Sequence, residues 1–451
     1  MHPGDGPVLI DLGEDWSAPA EFDPPRPRRR SWHVPAAALL VLALLAAVGG
    51  DGRVEQVLRL LAAYDATEAA AIAFGPDTAF ISDFSFSTTP ERDLYGIVSA
   101  YPLPAGAPRW QTRLPQVPQH LEYLADAGVV VASVAYGPDN LLLTTVLDAA
   151  TGRQLWTTDD GWVADAPGDG LALLGPDHGG TIQWVNLRTG RKLWSYPVPP
   201  DAQIRVASRS TPEDPELVVV MTPDGTVDVL AERTGALVAN GNVGLIDPKD
   251  GQLGLPADPS APSIDVMGGV MLVFRPRLSG PVTLTAYDLS RMSPLWTRTG
   301  AFRGYATACG VLVCLPRESG VSGVDPGTGA EVWRTTQWMD TGPLDADRVI
   351  GFADRPGDGM AILDARTGRV LMPLGRWEIV SGTSGGPPAL FGRSSTADGG
   401  RTLFVAAEPG HTALTVLGSV PGTTTELCWA AAGLVGCRAP AGTVRIWRYQ
   451  S

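Results

Sequence analysis

The chain has 451 residues, a formal net charge of −14, only 18% charged residues, 53 Gly and 40 Pro. An acidic chain whose Lys and Arg do not cluster beyond its first 30 residues lacks the basic patch that phosphate backbones require, which excludes a nucleic-acid-binding surface. So many Gly and Pro with so few charges exclude a bundle of long amphipathic helices and predict an all-β chain of short strands and turns.

Residues 1–33 are rich in Pro, Gly and acid (Asp5, Asp11, Glu14, Asp15, Glu21, Asp23) and too poor in apolar groups to form a core. They read as a disordered cytoplasmic tail. Within it VLIDLGEDW (Val8 to Trp16) reads either as a docking peptide or as plain tail. Arg26, Arg28, Arg29 and Arg30 then precede the 17 uncharged residues 34–50, long enough to span a bilayer as a helix. The basic flank predicts that the tail stays inside and everything after Gly50 is exported. An uncleaved signal anchor in the cell membrane is expected; a cleaved secretory signal is the alternative. Residues 51–68 read as a linker or ring-closing strand, and the stretch around Val54 to Ala63 has the best helical periodicity of the chain.

From residue 69 to 451 the chain repeats. Nine short apolar runs, each read as the buried strand that begins a unit, are Ala79 to Ser82, Val129 to Ala132, Leu171 to Leu174, Leu217 to Val220, Val270 to Val273, Val311 to Cys314, Val349 to Phe352, Thr402 to Val405 and Leu434 to Cys437. A spacing of about 32 to 54 residues suits one four-stranded sheet per repeat. GPDN (Gly137 to Asn140), GPDH (Gly175 to His178) and TPDG (Thr222 to Gly225) read as turns, with Asp as a structural cap. A second turn recurs as DAATGRQLW (Asp148 to Trp156), NLRTGRKLW (Asn186 to Trp194), DPGTGAEVW (Asp325 to Trp333) and DARTGRVLM (Asp364 to Met372). Its Gly sits where a tight hairpin loop takes positive φ, at Gly106, Gly152, Gly190, Gly235, Gly329 and Gly368. Trp follows four residues later at Trp110, Trp156, Trp194 and Trp333. Gly235 is followed instead by Ala239, and the fifth unit keeps Trp296 without the Thr-Gly turn. An indole at one fixed place per sheet reads as a wedge against the next sheet; a stack lining a cofactor site is the alternative.

Radial repetition hides sheet edges only when the ring closes. The last unit runs out of chain, so its outer strand is expected from Arg59 to Ala66 or from Ala69 to Phe74. A single ring of eight four-stranded blades is expected, with seven as the alternative and irregularity between Phe352 and Thr402, around SGTSGGPP (Ser381 to Pro388). The four cysteines form two local pairs, Cys309 with Cys314 and Cys428 with Cys437, in the part expected to be exported. They read as hairpin-closing disulfides or as buried thiols; without neighbouring His they do not read as a zinc site.

The recurring D-x-x-T-G-x-x-x-W resembles the repeat of pyrroloquinoline-quinone-type β-propellers over about residues 79–449. With its basic, signal-anchored leader, the chain is similar to exported members from high-GC Gram-positive bacteria. The family contains quinone-dependent dehydrogenases and non-catalytic scaffolds of outer-membrane protein assembly. Its enzymes hold the quinone between a Trp face and a disulfide of adjacent cysteines, beside calcium and an Asp base. This chain has no adjacent cysteines, no C-x-x-C-H, no G-x-S-x-G, no P-loop and no H-E-x-x-H. The expectation is a membrane-tethered, non-catalytic propeller without cofactor, metal or catalytic residues, binding a protein, peptide or glycan. A quinone-dependent oxidoreductase is the alternative, and a sensor signalling through its tail is a third reading.

Overall fold

The computed structural model describes residues 58–449 except 68–70, 87–93, 137–140, 160–162, 165–170, 175–179, 200–201, 208–215, 245–262, 276–280, 304, 355–358, 381–388, 396–399, 432 and 440–441. The described residues all fall within one compact unit, 56–451. The expected tail, docking peptide and membrane helix lie outside the described residues, as do the GPDN and GPDH turns. No helix among the described residues is long and apolar enough to cross a membrane.

The described residues form strands and one 3-10 helix, Thr425–Leu427. The strands assemble into nine antiparallel four-stranded sheets, here called blades 1 to 9. Blades 1 to 8 span 72–114, 120–158, 163–197, 203–242, 263–300, 307–335, 340–375 and 378–421. Blade 9 takes three strands from the end of the chain, Cys428–Ala431, Leu434–Ala439 and Thr443–Arg448, and its fourth, Arg59–Asp65, from the beginning. Arg59 pairs with Arg448 and Asp65 with Thr443 across this junction. The closing strand therefore overlaps the region with the best helical periodicity. Pairing with a waiting sheet edge outweighs a local helical pattern, because an unpaired edge leaves a row of backbone donors and acceptors unmet.

Nine sheets correct the expected eight. Each of the nine apolar runs lies in its own blade, and none shares a sheet. The run Thr402 to Val405 belongs to the third strand of blade 8, Arg401–Ala407, whereas the other eight runs overlap second strands. The second strand of blade 8, Ala389–Ser395, follows directly after SGTSGGPP, so the long interval holds the start of a whole blade. The runs also do not begin their units. A shorter strand precedes each one, such as Gln203–Val206 before Leu217–Met221.

The second strand of a blade is covered on both faces. In Leu217–Met221 all five residues are buried. Fully burying such side chains contributes about 1.5–3 kcal/mol each. Apolar clusters join each blade to the next, from blades 1 and 2 (Phe80, Val98 with Val130, Leu147) through to blades 8 and 9 (Leu390, Phe404 with Val435, Trp447). A ninth joins blade 9 back to blade 1, packing Ala62, Tyr64, Val444 and Ile446 against Ile72, Phe74, Ala79 and Ile81. The chain of contacts closes on itself. First strands of neighbouring blades approach one another and form the inner rim; fourth strands lie outermost and alternate exposed with half-buried positions, as in Lys192–Pro197.

Candidate functional site

The recurring turn and its Trp belong to different blades. Each turn closes with the N–H of its fifth residue donating to the carbonyl of its first, Gly152 to Asp148 at 2.8 Å and likewise Gly190 to Asn186, Gly329 to Asp325 and Gly368 to Asp364. The first residue caps the turn: Asp148 Oδ1 accepts from the Thr151 N–H and O–H, both at 2.9 Å, and Asp325 does the same with Thr328. Those bonds hold the Asp325 carboxyl below its usual range, the Thr328 hydroxyl contributing most. The Trp of the preceding blade lies on this turn. Indole N–H groups of Trp110, Trp156, Trp194, Trp296 and Trp333 donate to the carbonyls of Ala149, Leu187, Glu232, Pro326 and Ala365, at 2.6–3.0 Å. In each case the acceptor is the second residue of the next blade's turn. The turn glycine then meets the indole face: a Cβ on Gly190 would lie 2.8 Å from Trp156 Cγ, and one on Gly329 would lie 2.6 Å from Trp296 Cδ2. Gly106 differs, with its nearest neighbour in its own blade at Pro102.

Four junctions use other residues. Between blades 4 and 5, Ala239 stands in the Trp place and Met292 in the glycine place, at φ 50°, with its side chain against Gly241. Between blades 7 and 8, Met372 packs beside Leu414. Between blades 8 and 9, Leu58 packs on Gly418 and donates its N–H to the Leu417 carbonyl at 3.0 Å. Between blades 9 and 1, the Tyr64 O–H donates to the Pro102 carbonyl at 2.9 Å and the ring stacks on Tyr101 at 4.1 Å.

One element of the repeat escaped the reading of the sequence. The residue just before the Trp place is a β-bulge in eight blades: Leu155, Leu193, Val238, Leu295, Val332, Leu371, Leu417 and Leu61 are passed over in the pairing. It is aliphatic every time, and that is the signal that was present. A bulge also twists each outermost strand and so blunts its exposed edge.

The cysteines form two disulfides, Cys309–Cys314 and Cys428–Cys437, linking the first and second strands of blades 6 and 9. Neither joins adjacent residues, and the repeat indoles lie against turn glycines. The residues present do not fit the quinone cradle that the resemblance implies. No group of three or more His, Cys, Asp or Glu among the described residues is arranged to hold a metal ion.

Polar side chains gather instead on the inner rim of blades 4 to 7. Arg205 Nε donates to the Ile264 carbonyl at 3.2 Å, and the Ile264 N–H donates to Gln203 Oε1 at 3.3 Å. The Ala306 N–H donates to Asp265 Oδ2 at 2.6 Å, and Tyr305 donates to Asp340 Oδ2 at 2.5 Å. Thr307 and Thr341 hydroxyls meet at 2.8 Å. Burial raises the Asp265 carboxyl above its usual value, against the pull of the Ala306 N–H and Arg205. Burial and the bond to Asp340 push Tyr305 up to about 12, so it stays a neutral donor. Its ring is 42% exposed. This arc offers a guanidinium, an exposed phenol and free carboxylate lone pairs on a rigid frame, which is binding chemistry.

A family model described as outer membrane protein assembly factor BamB matches residues 95–335, just over half of the 451. No curated protein matches the chain. BamB from Moraxella catarrhalis is 15% identical over 87% of this chain and 100% of that chain, at a TM-score of 0.43. A eukaryotic initiation factor is 11% identical over 83% of this chain and 94% of that chain, at 0.51. A europium-containing methanol dehydrogenase is 12% identical over 66% of this chain and 85% of that chain, at 0.36. Of these three, only the initiation factor exceeds 0.5, and at 11% identity it shows the fold and not the activity.

Proposed function

The chain belongs to the BamB-type PQQ_2 repeat family, and on that premise we propose that it is a non-catalytic, protein-binding scaffold, tethered outside the cell membrane through residues 34–50. The observation that carries the binding reading is the inner-rim arc of Gln203, Arg205, Asp265, Tyr305 and Asp340, contributed by the first strands of blades 4, 5 and 7 and by the connector that leads into blade 6. A half-buried acid held beside Arg205 and a phenol held by Asp340 are costly to maintain for packing alone, since burial disfavours the charged carboxylate. The reading is further supported by the misfit between the repeat Trp and Cys residues and a quinone cradle. A folded protein segment or a peptide is the partner this arc suits best, because its donors and acceptors are spread over three strands and a connector and not converged on one small pocket.

The test is site-specific photo-crosslinking in intact membranes, with a benzophenone amino acid at Tyr305 on the inner rim or at exposed Leu237 on an outermost strand. A protein adduct formed from position 305 and absent from position 237 supports the scaffold. Equal labelling from both positions removes the inner rim from the proposal. In parallel, the purified chain with quinone and calcium should reduce no dye with alcohols or sugars; turnover there would replace the scaffold reading with the oxidoreductase.

A further inference from the structure

One groove away from the inner rim holds more positive charge than its surroundings neutralise. It lies between the outer parts of blades 5 and 6. In blade 6, Val313 and Leu315 pack against Leu272 and Phe274 of blade 5, so Arg317, two residues further on, faces blade 5 as well. Arg298 follows Trp296 by two residues and so shares its face toward blade 6. Arg334 stands directly opposite Ser322 on the neighbouring strand.

Arg317 is fixed in place. Phe302, in the connector between the blades, forms a β-bridge with it, and its ring centroid lies 5.0 Å from the guanidinium carbon. On either side the Arg303 N–H donates to the Pro316 carbonyl and the Glu318 N–H to the Ala301 carbonyl, both at 3.0 Å. Arg317 Nη2 donates to Glu331 Oε2 at 2.8 Å, and the same oxygen accepts from the Ser322 hydroxyl at 3.0 Å. Arg317 Nε is buried without an acceptor. Arg298 and Arg334 make no side-chain hydrogen bond or ion pair among the described residues. Three guanidinia thus face one carboxylate. Burial, opposed by Glu331 and assisted by Arg334 and Arg298, holds Arg317 below the usual arginine range, as expected where like charges crowd.

The repeat does not require these charges. The place of Arg298 is filled by Thr112, Thr158, Tyr196 and Thr335 in blades 1, 2, 3 and 6, each two residues after its Trp. In blade 2 the places of Glu331, Arg334 and Ser322 hold Gln154, Thr157 and Thr145, which bond to one another without charge.

We propose that this groove is an oxyanion site that takes a phosphate group, with Arg298 and Arg334 as capturing residues and Arg317 held between them by Glu331. An excess of two positive charges matches the −1.5 to −2 of a phosphate monoester near neutral pH, roughly. Planar guanidinium forks suit its oxygens. On a chain of net charge −14, a large polyanion is repelled over a wide area, whereas a single phosphate feels chiefly the charges within about 8–10 Å. A free phosphate monoester and a lipid phosphate headgroup share this chemistry.

The experiment is calorimetric titration of the purified full chain at low ionic strength with inorganic phosphate and, separately, with short-chain phosphatidate, using short-chain phosphatidylcholine as control. Saturable binding at one site is expected, weakened at least tenfold in the Arg298→Gln, Arg334→Gln double variant and unchanged by Arg153→Gln on the distant turn of blade 2. Binding of both ligands assigns the phosphate group itself, and binding of phosphatidate alone assigns a headgroup. No saturable binding of either, or binding that survives the double variant, overturns the site. Thermal unfolding of the double variant within a degree or two of the parent shows that lost binding is not lost fold.

Discussion

The interlock between an indole and the next blade's turn is tested by Gly190→Ala. Gly190 has φ 64°, and an added Cβ would sit 2.8 Å from Trp156 Cγ and 3.0 Å from Cδ1. The left-handed conformation alone costs an L-residue about 1–2 kcal/mol. Relieving the contact requires the indole to move. That weakens its 2.6 Å bond to the Leu187 carbonyl, a loss of about 1 kcal/mol, and strains packing by about 1–3 kcal/mol more. The expected destabilisation is about 3–6 kcal/mol. Gly422→Ala is the control, since Gly422 has φ 71° and nothing within 4 Å of its added Cβ, so only the conformational part of about 1–2 kcal/mol remains. Urea unfolding of both variants should separate them by about 2–4 kcal/mol. In a Trp156→Ala background the cost of Gly190→Ala should fall to that of Gly422→Ala, because the atoms it strikes are gone. Equal costs at the two glycines, or an unchanged cost without the indole, would refute the interlock.

At the closing junction, Tyr64→Phe removes the donor to the Pro102 carbonyl while keeping the stack on Tyr101, and unfolding should register a loss of about 1 kcal/mol. Replacing both cysteines of a pair by Ser should lower stability by about 2 kcal/mol for Cys309–Cys314 and about 2.5 kcal/mol for Cys428–Cys437, following their separations of 5 and 9 residues. Calorimetry of the two double variants measures both the size and the order. Asp325 has its folded pKa below its unfolded value of about 3.9, so its contribution is present above that value and is lost as pH falls through the folded pKa. Asp325→Asn should therefore lower Tm at pH 7 and converge with the parent as pH falls through the folded pKa of Asp325. The fold of the turn should survive, because Asn186 already caps the blade 3 turn through Thr189 in the same way.

What the sequence displayed was whatever the repeat needs in a particular residue type. Gly must stand where φ is positive and an indole lies close, and Trp where a flat ring covers that turn, so both recur visibly. The buried second strands were legible because both faces are covered, as in Leu217–Met221, where every residue is apolar and buried. First strands were not. Glu378–Ile379 has two residues and both are exposed, so neither length nor period marks it; only its pairing with Phe391 and Gly392 makes it a strand. That is why blade 8 was expected to be an irregularity. The inner-rim arc and the arginine groove were invisible for a different reason. Residues 298, 317 and 334 come from three strands in two blades, and nothing in their local spacing announces that the strands meet.

At the junction of blades 4 and 5 packing accounts for both departures from the repeat. Ala239 lacks the ring that would cover the next turn, and Gly241 leaves further room beside it. Met292 then occupies the glycine position of that turn at φ 50° and fills the space with its own side chain. Two departures some fifty residues apart are thus one exchange of volume, and neither marks a site. The seam repeats the logic with Gly418 and Leu58, and again with Ala62 and Tyr64. A departure from a repeat is explained when a neighbour supplies what it removed. Arg298 fails that criterion: its counterparts in the other blades that carry the Trp are Thr or Tyr, it adds a charge where none is needed for closure, and no neighbouring acid takes that charge up. The same test separates the inner rim from the turns, because Asp265 is held in the interior against its own desolvation, with no packing deficit that a carboxylate would repair.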